Sequence, residues 1–101
     1  MTTQISVDPN AVARFCRKNH IARLALFGSV LRDDFRPDSD VDVLVDFEPG
    51  HVPGFMALHH ISTELSQLLG GRMVDVVTRK SLNYRIRDRI VDTAEVVYQA
   101  A

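Results

Sequence analysis

The segment Asp40 to Phe47, DVDVLVDF, alternates acids with valines at period two. Successive side chains of a strand point to opposite faces, so Val41, Val43 and Val45 share one face while Asp40, Asp42 and Asp46 share the other with Leu44. A strand with a valine face and a carboxylate face needs a sheet around it and helices over the valines. It also needs a reason to keep its acids together. Carboxylates two residues apart on a strand repel unless a cation lies between them.

The surrounding sequence supplies the remaining elements. Asp8-Pro9 combines an N-cap acid with a proline at the first helical position, and predicts a helix that carries Val12, Phe15 and Cys16 inward and ends near Asn19-His20. Ile21 to Phe27 reads as a buried strand halted by Gly28-Ser29, and Ser29 is placed to cap a short helix through about Arg32 to Asp34. Glu48-Pro49-Gly50 stops the acidic strand. A second long helix is expected from Phe55 to Leu69, with Leu58, Ile61, Leu65, Leu68 and Leu69 as its apolar stripe and Gly70-Gly71 at its end. Arg72 to Thr78 reads as a third strand. Ser81 is expected to open a third helix with Ile86, Ile90 and Val91 inward, and Ala94 to Gln99 forms a last edge strand. The result is a mixed-sheet α/β (α+β) domain with about three to four α-helices packed on it.

Composition narrows the function. At 101 residues the chain has room for one domain, covering residues 1–101, and for no separate cofactor lobe. A formal net charge of -1 speaks against a general nucleic-acid binder, and 46% hydrophobic residues excludes disorder. One cysteine, Cys16, allows no internal disulfide and no four-ligand zinc framework. The opening MTTQISVDPNAV lacks the basic and apolar regions of a secretory signal, and no apolar run reaches the roughly 20 residues that span a bilayer. A cytoplasmic protein with no membrane association is expected.

Chemistry concentrates where the acids do. Between Asp33 and Glu48 there are seven acidic residues and one basic one, Arg36. Mg²⁺ prefers oxygen ligands and is commonly held by one or two carboxylates together with substrate phosphates. Asp75 interrupts Met73-Val74 and Val76-Val77 in another apolar strand, where it would be costly to bury alone. If the two strands are neighbours, Asp40, Asp42 and Asp75 converge, and three carboxylates with two divalent ions suit in-line displacement at phosphorus. Gly28 lets backbone approach a ligand closely. The N–H groups and hydroxyl at Ser29 can hold a phosphate, to which Arg32 could add a charge-assisted bond.

The histidines carry less. His59 and His60 are adjacent and diverge on a helix, and His51 falls in a loop, where solvent exposure or a substrate-side contact is expected rather than zinc ligation. Asp75 alone could pair with Arg72 or Arg79. The basic run Arg79, Lys80, Arg85, Arg87 and Arg89 reads as a solvated helix face that could also offset the acidic site, meet phosphates or dock a partner.

Gly28-Ser29-Val30-Leu31-Arg32 followed by Ser39-Asp40-Val41-Asp42 resembles the G-S-x-x-R … S-D-x-D signature of the DNA polymerase beta-like nucleotidyltransferase superfamily. With the chain length, Phe47 to Gly50 and the VDVVT segment, it looks like the minimal nucleotidyltransferase (MNT) group. The resemblance implies the nucleotidyltransferase fold, Mg²⁺-dependent transfer of AMP from ATP with two ions, and pairing with a HEPN-domain toxin. In such pairs the MNT protein is the antitoxin and neutralises its hetero-oligomeric partner by adenylylating it. Position by position, it implies Asp40, Asp42 and Asp75 as metal ligands and catalytic residues, with Gly28, Ser29, Arg32 and Ser39 at the nucleotide. Leu31-Arg32-Asp33 stands where many members have Ala-Arg-Gly, so the turn after Arg32 departs from the pattern. Two other readings remain at this level: neutralisation by stoichiometric binding without catalysis, and transfer to a small-molecule acceptor such as an aminoglycoside, which usually needs an extra substrate-binding domain.

Overall fold

A computed structural model describes residues 8–28 and 40–100. The elements run α1 (Pro9–Lys18), β1 (Ile21–Phe27), β2 (Val41–Phe47), α2 (Phe55–Leu68), β3 (Val74–Val77), a 3₁₀ turn (Arg79–Ser81), α3 (Tyr84–Thr93) and β4 (Glu95–Gln99). The strands form one mixed sheet in the order β3-β2-β1-β4, with β1 antiparallel to β2 and β4, and β2 parallel to β3.

Local chemistry sets the start of α1. Asp8 Oδ1 accepts from Asn10 N at 3.0 Å and Ala11 N at 3.4 Å, satisfying two of the helix's orphan donors, and Pro9 has no N–H to satisfy. Arg17 and Lys18 occupy the last turn, where the helix dipole favours positive charge.

The core lies between one sheet face and helices α1 and α2. Val12, Phe15 and Cys16 from α1 and Ile61, Leu65 and Leu69 from the α2 region meet Ile21, Leu24, Leu26, Val41, Val43 and Val45. Each fully buried Val, Leu or Ile contributes about 1.5–3 kcal/mol of transfer free energy. A register irregularity between Ile21 and Arg23 brings odd-numbered Ile21 and even-numbered Leu24 and Leu26 into the same core. Ala25 and Leu44, paired in register on the other face, are also buried but outside that cluster. α2 is fastened to the β3 region by Ser62 Oγ, which donates to Val74 O at 3.1 Å, and by Ser66 Oγ, which donates to Arg72 O.

Three expectations change. The third strand is shorter than Arg72 to Thr78, and Met73, just outside it, is exposed. Ser81 does not open α3. Its hydroxyl donates to Thr78 O at 2.8 Å within the 3₁₀ turn, and the helix is capped instead by Asn83, whose Oδ1 accepts from Arg85 N at 2.8 Å. Ile86, Ile90 and Val91 are not carried into a core: α3 buries no residue, and Ile86 is 47% exposed. The reason is topological. β3 and β4 are the two edges of the sheet, so α3 belongs to the connection between opposite edges, while α1 and α2 occupy the valine face. The short helix expected after Ser29 lies outside the described residues.

Candidate active site

The strand register assembles the carboxylates. Asp42 on β2 pairs with Asp75 on β3, so the two side chains point to the same side of neighbouring strands, whose backbones run about 4.8 Å apart. Asp40, two residues before Asp42, is exposed at the start of β2. Asp42 is half-buried and Asp75 is exposed, because β3 is an edge strand. The cost expected from burying Asp75 is therefore avoided. Its neighbours Val74 and Val76 turn the other way and pack against the core.

Gly28 closes in on this pair from β1. It follows Phe27, which is paired with Asp42, and adopts φ +77°. A Cβ built on Gly28 would overlap Asp42 Oδ2, so only a glycine lets the backbone lie this close to the carboxylate. Backbone and carboxylate thus share one corner of the site. Ser29, Arg32 and Ser39, the other residues the sequence assigns to the nucleotide, lie outside the described residues, as does the Leu31-Arg32-Asp33 departure.

The third acid of the alternation has a different fate. Asp46 receives a two-pronged contact from Arg79, with Nε to Oδ1 at 2.8 Å and a terminal nitrogen to Oδ2 at 3.1 Å. The Asp46 hydrogen bond raises the Arg79 pKa above its ordinary value; burial opposes it, and the Asp46 charge adds a lesser upward push. Arg79 therefore serves Asp46 rather than Asp75, and ties the 3₁₀ turn to β2. Asp46 belongs to the scaffold, while Asp42 and Asp75 face each other at the opposite end of the strand.

Beside Asp75 the surface opens into a pocket lined by Phe55, Leu58, His59 and Ser62 of α2 together with Val74 and Val76. The helical periodicity of the sequence places Leu58 on the core stripe and gives Phe55, His59 and Ser62 no role. The spacing 55, 58, 59, 62 is that of one helix face, which is the signal that could have joined them. Their nearness to Asp75 depends on how α2 packs against β3.

Among the described residues, the register pairing brings the carboxylate oxygens of Asp42 and Asp75 to one side of neighbouring strands. Such a set fits a hard divalent cation such as Mg²⁺, shared with substrate phosphates, rather than a softer metal.

Comparison with known proteins shows the family to which this fold belongs. Residues 10–97 match the family model described as a nucleotidyltransferase domain. The protein adenylyltransferase MntA of Thermococcus cleftensis is 38% identical over 78 residues, covering 77% of this chain and 74% of its own. A Methanocaldococcus jannaschii protein, provisionally named a protein adenylyltransferase, is 35% identical over 77 residues, covering 76% of this chain and 80% of its own. A solved structure described as a candidate minimal nucleotidyltransferase superposes with a TM-score of 0.69 at 36% identity, covering 85% of both chains. A toxin–antitoxin complex crystallised with AMP-PNP shares the fold with a TM-score of 0.72 at 20% identity, over 93% of this chain and 75% of that one.

Proposed function

This chain belongs to the nucleotidyltransferase domain family and is a nucleotidyltransferase, and from that premise we propose that it transfers AMP from ATP to a hydroxyl of a partner protein, as the antitoxin of a HEPN-type toxin. The observation that carries the reading is the register pairing of Asp42 with Asp75, with the Gly28 backbone against Asp42. The protein acceptor is supported by the relatives named protein adenylyltransferases and by a solved Shewanella oneidensis complex of a tri-AMPylated HEPN toxin with its MNT antitoxin, which this fold matches with a TM-score of 0.64.

In this reading Asp40, Asp42 and Asp75 hold Mg²⁺, which supplies charge neutralisation at the phosphates when bound. The Gly28 backbone, with Ser29, Arg32 and Ser39, holds the triphosphate chain in place. The acceptor oxygen attacks the α-phosphorus as the α–β bridging bond breaks, so one P–O bond forms, one is lost, and pyrophosphate leaves. Asp75, exposed at the edge strand and open to an incoming chain, takes the proton from the acceptor hydroxyl.

The partner is supported by surface chemistry as well. Phe55 and Met56 are large apolar side chains left in solvent at the start of α2, and Phe55 lines the Asp75 pocket. Exposed apolar patches of this kind mark interaction surfaces.

The test is direct. With ATP, Mg²⁺ and the cognate toxin, the wild-type protein should raise the toxin's mass by whole adenylyl groups, measured by intact-mass spectrometry. Asp42→Asn should bind the toxin but leave its mass unchanged. Unmodified toxin in a stable complex with the wild-type protein would make this a sequestering antitoxin, and labelling by Asp42→Asn at the wild-type rate would refute the site.

A further inference from the structure

At the end of the β1–β2 pair remote from Gly28 and Asp42, the fold gathers a second set of ligating side chains. We propose that His20, Glu48 and His51 form a binding site for a divalent transition-metal ion of the zinc class. One ligand atom from each of the three lies within 4.8 Å of the others. His20 Nδ1 is 3.7 Å from Glu48 Oε1, too long for a hydrogen bond. Two ligands held about 2.0–2.1 Å from a tetrahedral zinc stand roughly 3.3 Å apart, so modest side-chain rotation closes the set. All three side chains are at least partly exposed and free to make it.

The backbone brings these residues together in two ways. Glu48 O accepts from His51 N at 3.0 Å across Pro49 and Gly50, with Gly50 at φ +81°, which makes a type II turn that folds His51 back over Glu48. Glu48 N donates to His20 O at 2.9 Å, locking the turn to the end of α1. His20 itself adopts φ +57° just past the α1 C-cap Asn19. Glycine or asparagine usually takes such a position, and a histidine held there carries strain of about 1–2 kcal/mol. In that conformation the His20 ring stacks on His51, with centroids 3.9 Å apart and planes 15° from parallel, and an ion would require the rings to tilt out of the stack so that their in-plane lone pairs converge.

Two imidazoles and one carboxylate, with a fourth position left for water, suit zinc or its borderline neighbours. The Asp42–Asp75 pair offers oxygen only. The seven residues of β1 separate the two places by roughly 20 Å at strand rise, so one can be altered without touching the other. An ion here would clamp the α1–β1 junction to the β2–α2 turn.

The experiment uses untagged protein stripped with EDTA and titrated with Zn²⁺ by calorimetry in excess Mg²⁺, with Co²⁺ as a visible-absorption probe. The expected result is one ion per chain, a tetrahedral Co²⁺ band, and a thermal midpoint that rises with Zn²⁺. His51→Ala should weaken Zn²⁺ at least tenfold and remove the band while AMP transfer in Mg²⁺ is unchanged. Asp42→Asn should bind Zn²⁺ as the wild type does. No binding by the wild type, equal binding by His51→Ala, or loss confined to Asp42→Asn would each overturn the proposal.

Discussion

Gly28 shows how much of the site rests on one missing side chain. Its positive φ and its contact with Asp42 act together: Gly28→Ala should cost about 1–2 kcal/mol from backbone conformation alone and also push Asp42 out of place. We expect AMP transfer to fall far more than thermal stability does, checked by comparing turnover with the melting temperature of the same preparation. Cys16 is the opposite case, a residue whose chemistry is silenced by its place in the core. Burial pushes its thiol from 9.0 up to about 12, opposed only weakly by Arg17. The thiol is charged when deprotonated, so between those values the unfolded chain releases a proton that the native state retains, and stability falls as pH rises. The slope is at most about 1.4 kcal/mol per pH unit. Chemical denaturation from about pH 8 to 10 should therefore show a steeper loss in the wild type than in Cys16→Ala, and equal slopes would refute the assignment.

Among the elements, β2 carries most of the design. Its valine face belongs to the core, its first acids to the site, and Asp46 to a scaffold contact with Arg79. The pair is partly exposed, so its contribution is discounted from the buried value; Arg79→Ala should cost about 1 kcal/mol. That corresponds to a melting temperature lower by roughly 4–8 °C. Asp46→Asn should lose most of the same amount, and in a double-mutant cycle the two changes should be far from additive. The alternation made β2 legible, and the Asp8-Pro9 cap did the same for α1. The periodicity of α3 did not translate into burial, because an apolar period of 3.6 says which side chains share a face, not how deeply that face packs.

For the whole molecule, the near-zero net charge hides the separation of acids around Asp42 and Asp75 from the bases of the Arg79 to Arg89 region. The apolar side chains left in solvent are equally concentrated. Phe55, 87% exposed, and Met56, 68% exposed, contribute little to the fold, so Phe55→Ser/Met56→Ser should leave the melting temperature within about 4 °C of the wild type. It should nonetheless weaken capture of the cognate toxin, measured by co-purification and calorimetry; undiminished affinity would place the docking surface elsewhere. The local pattern by itself determined that Asp42 and Asp75 sit on strands, that Gly28 follows a strand, and that Cys16 is core, because each depends only on neighbours a few residues away. Tertiary structure alone decided that Asp42 and Asp75 are register partners, that Arg79 takes Asp46 rather than Asp75, and that His20 reaches Glu48 and His51. Those contacts join residues about 30 positions apart, and such distances are set by strand order and register, which no local periodicity encodes.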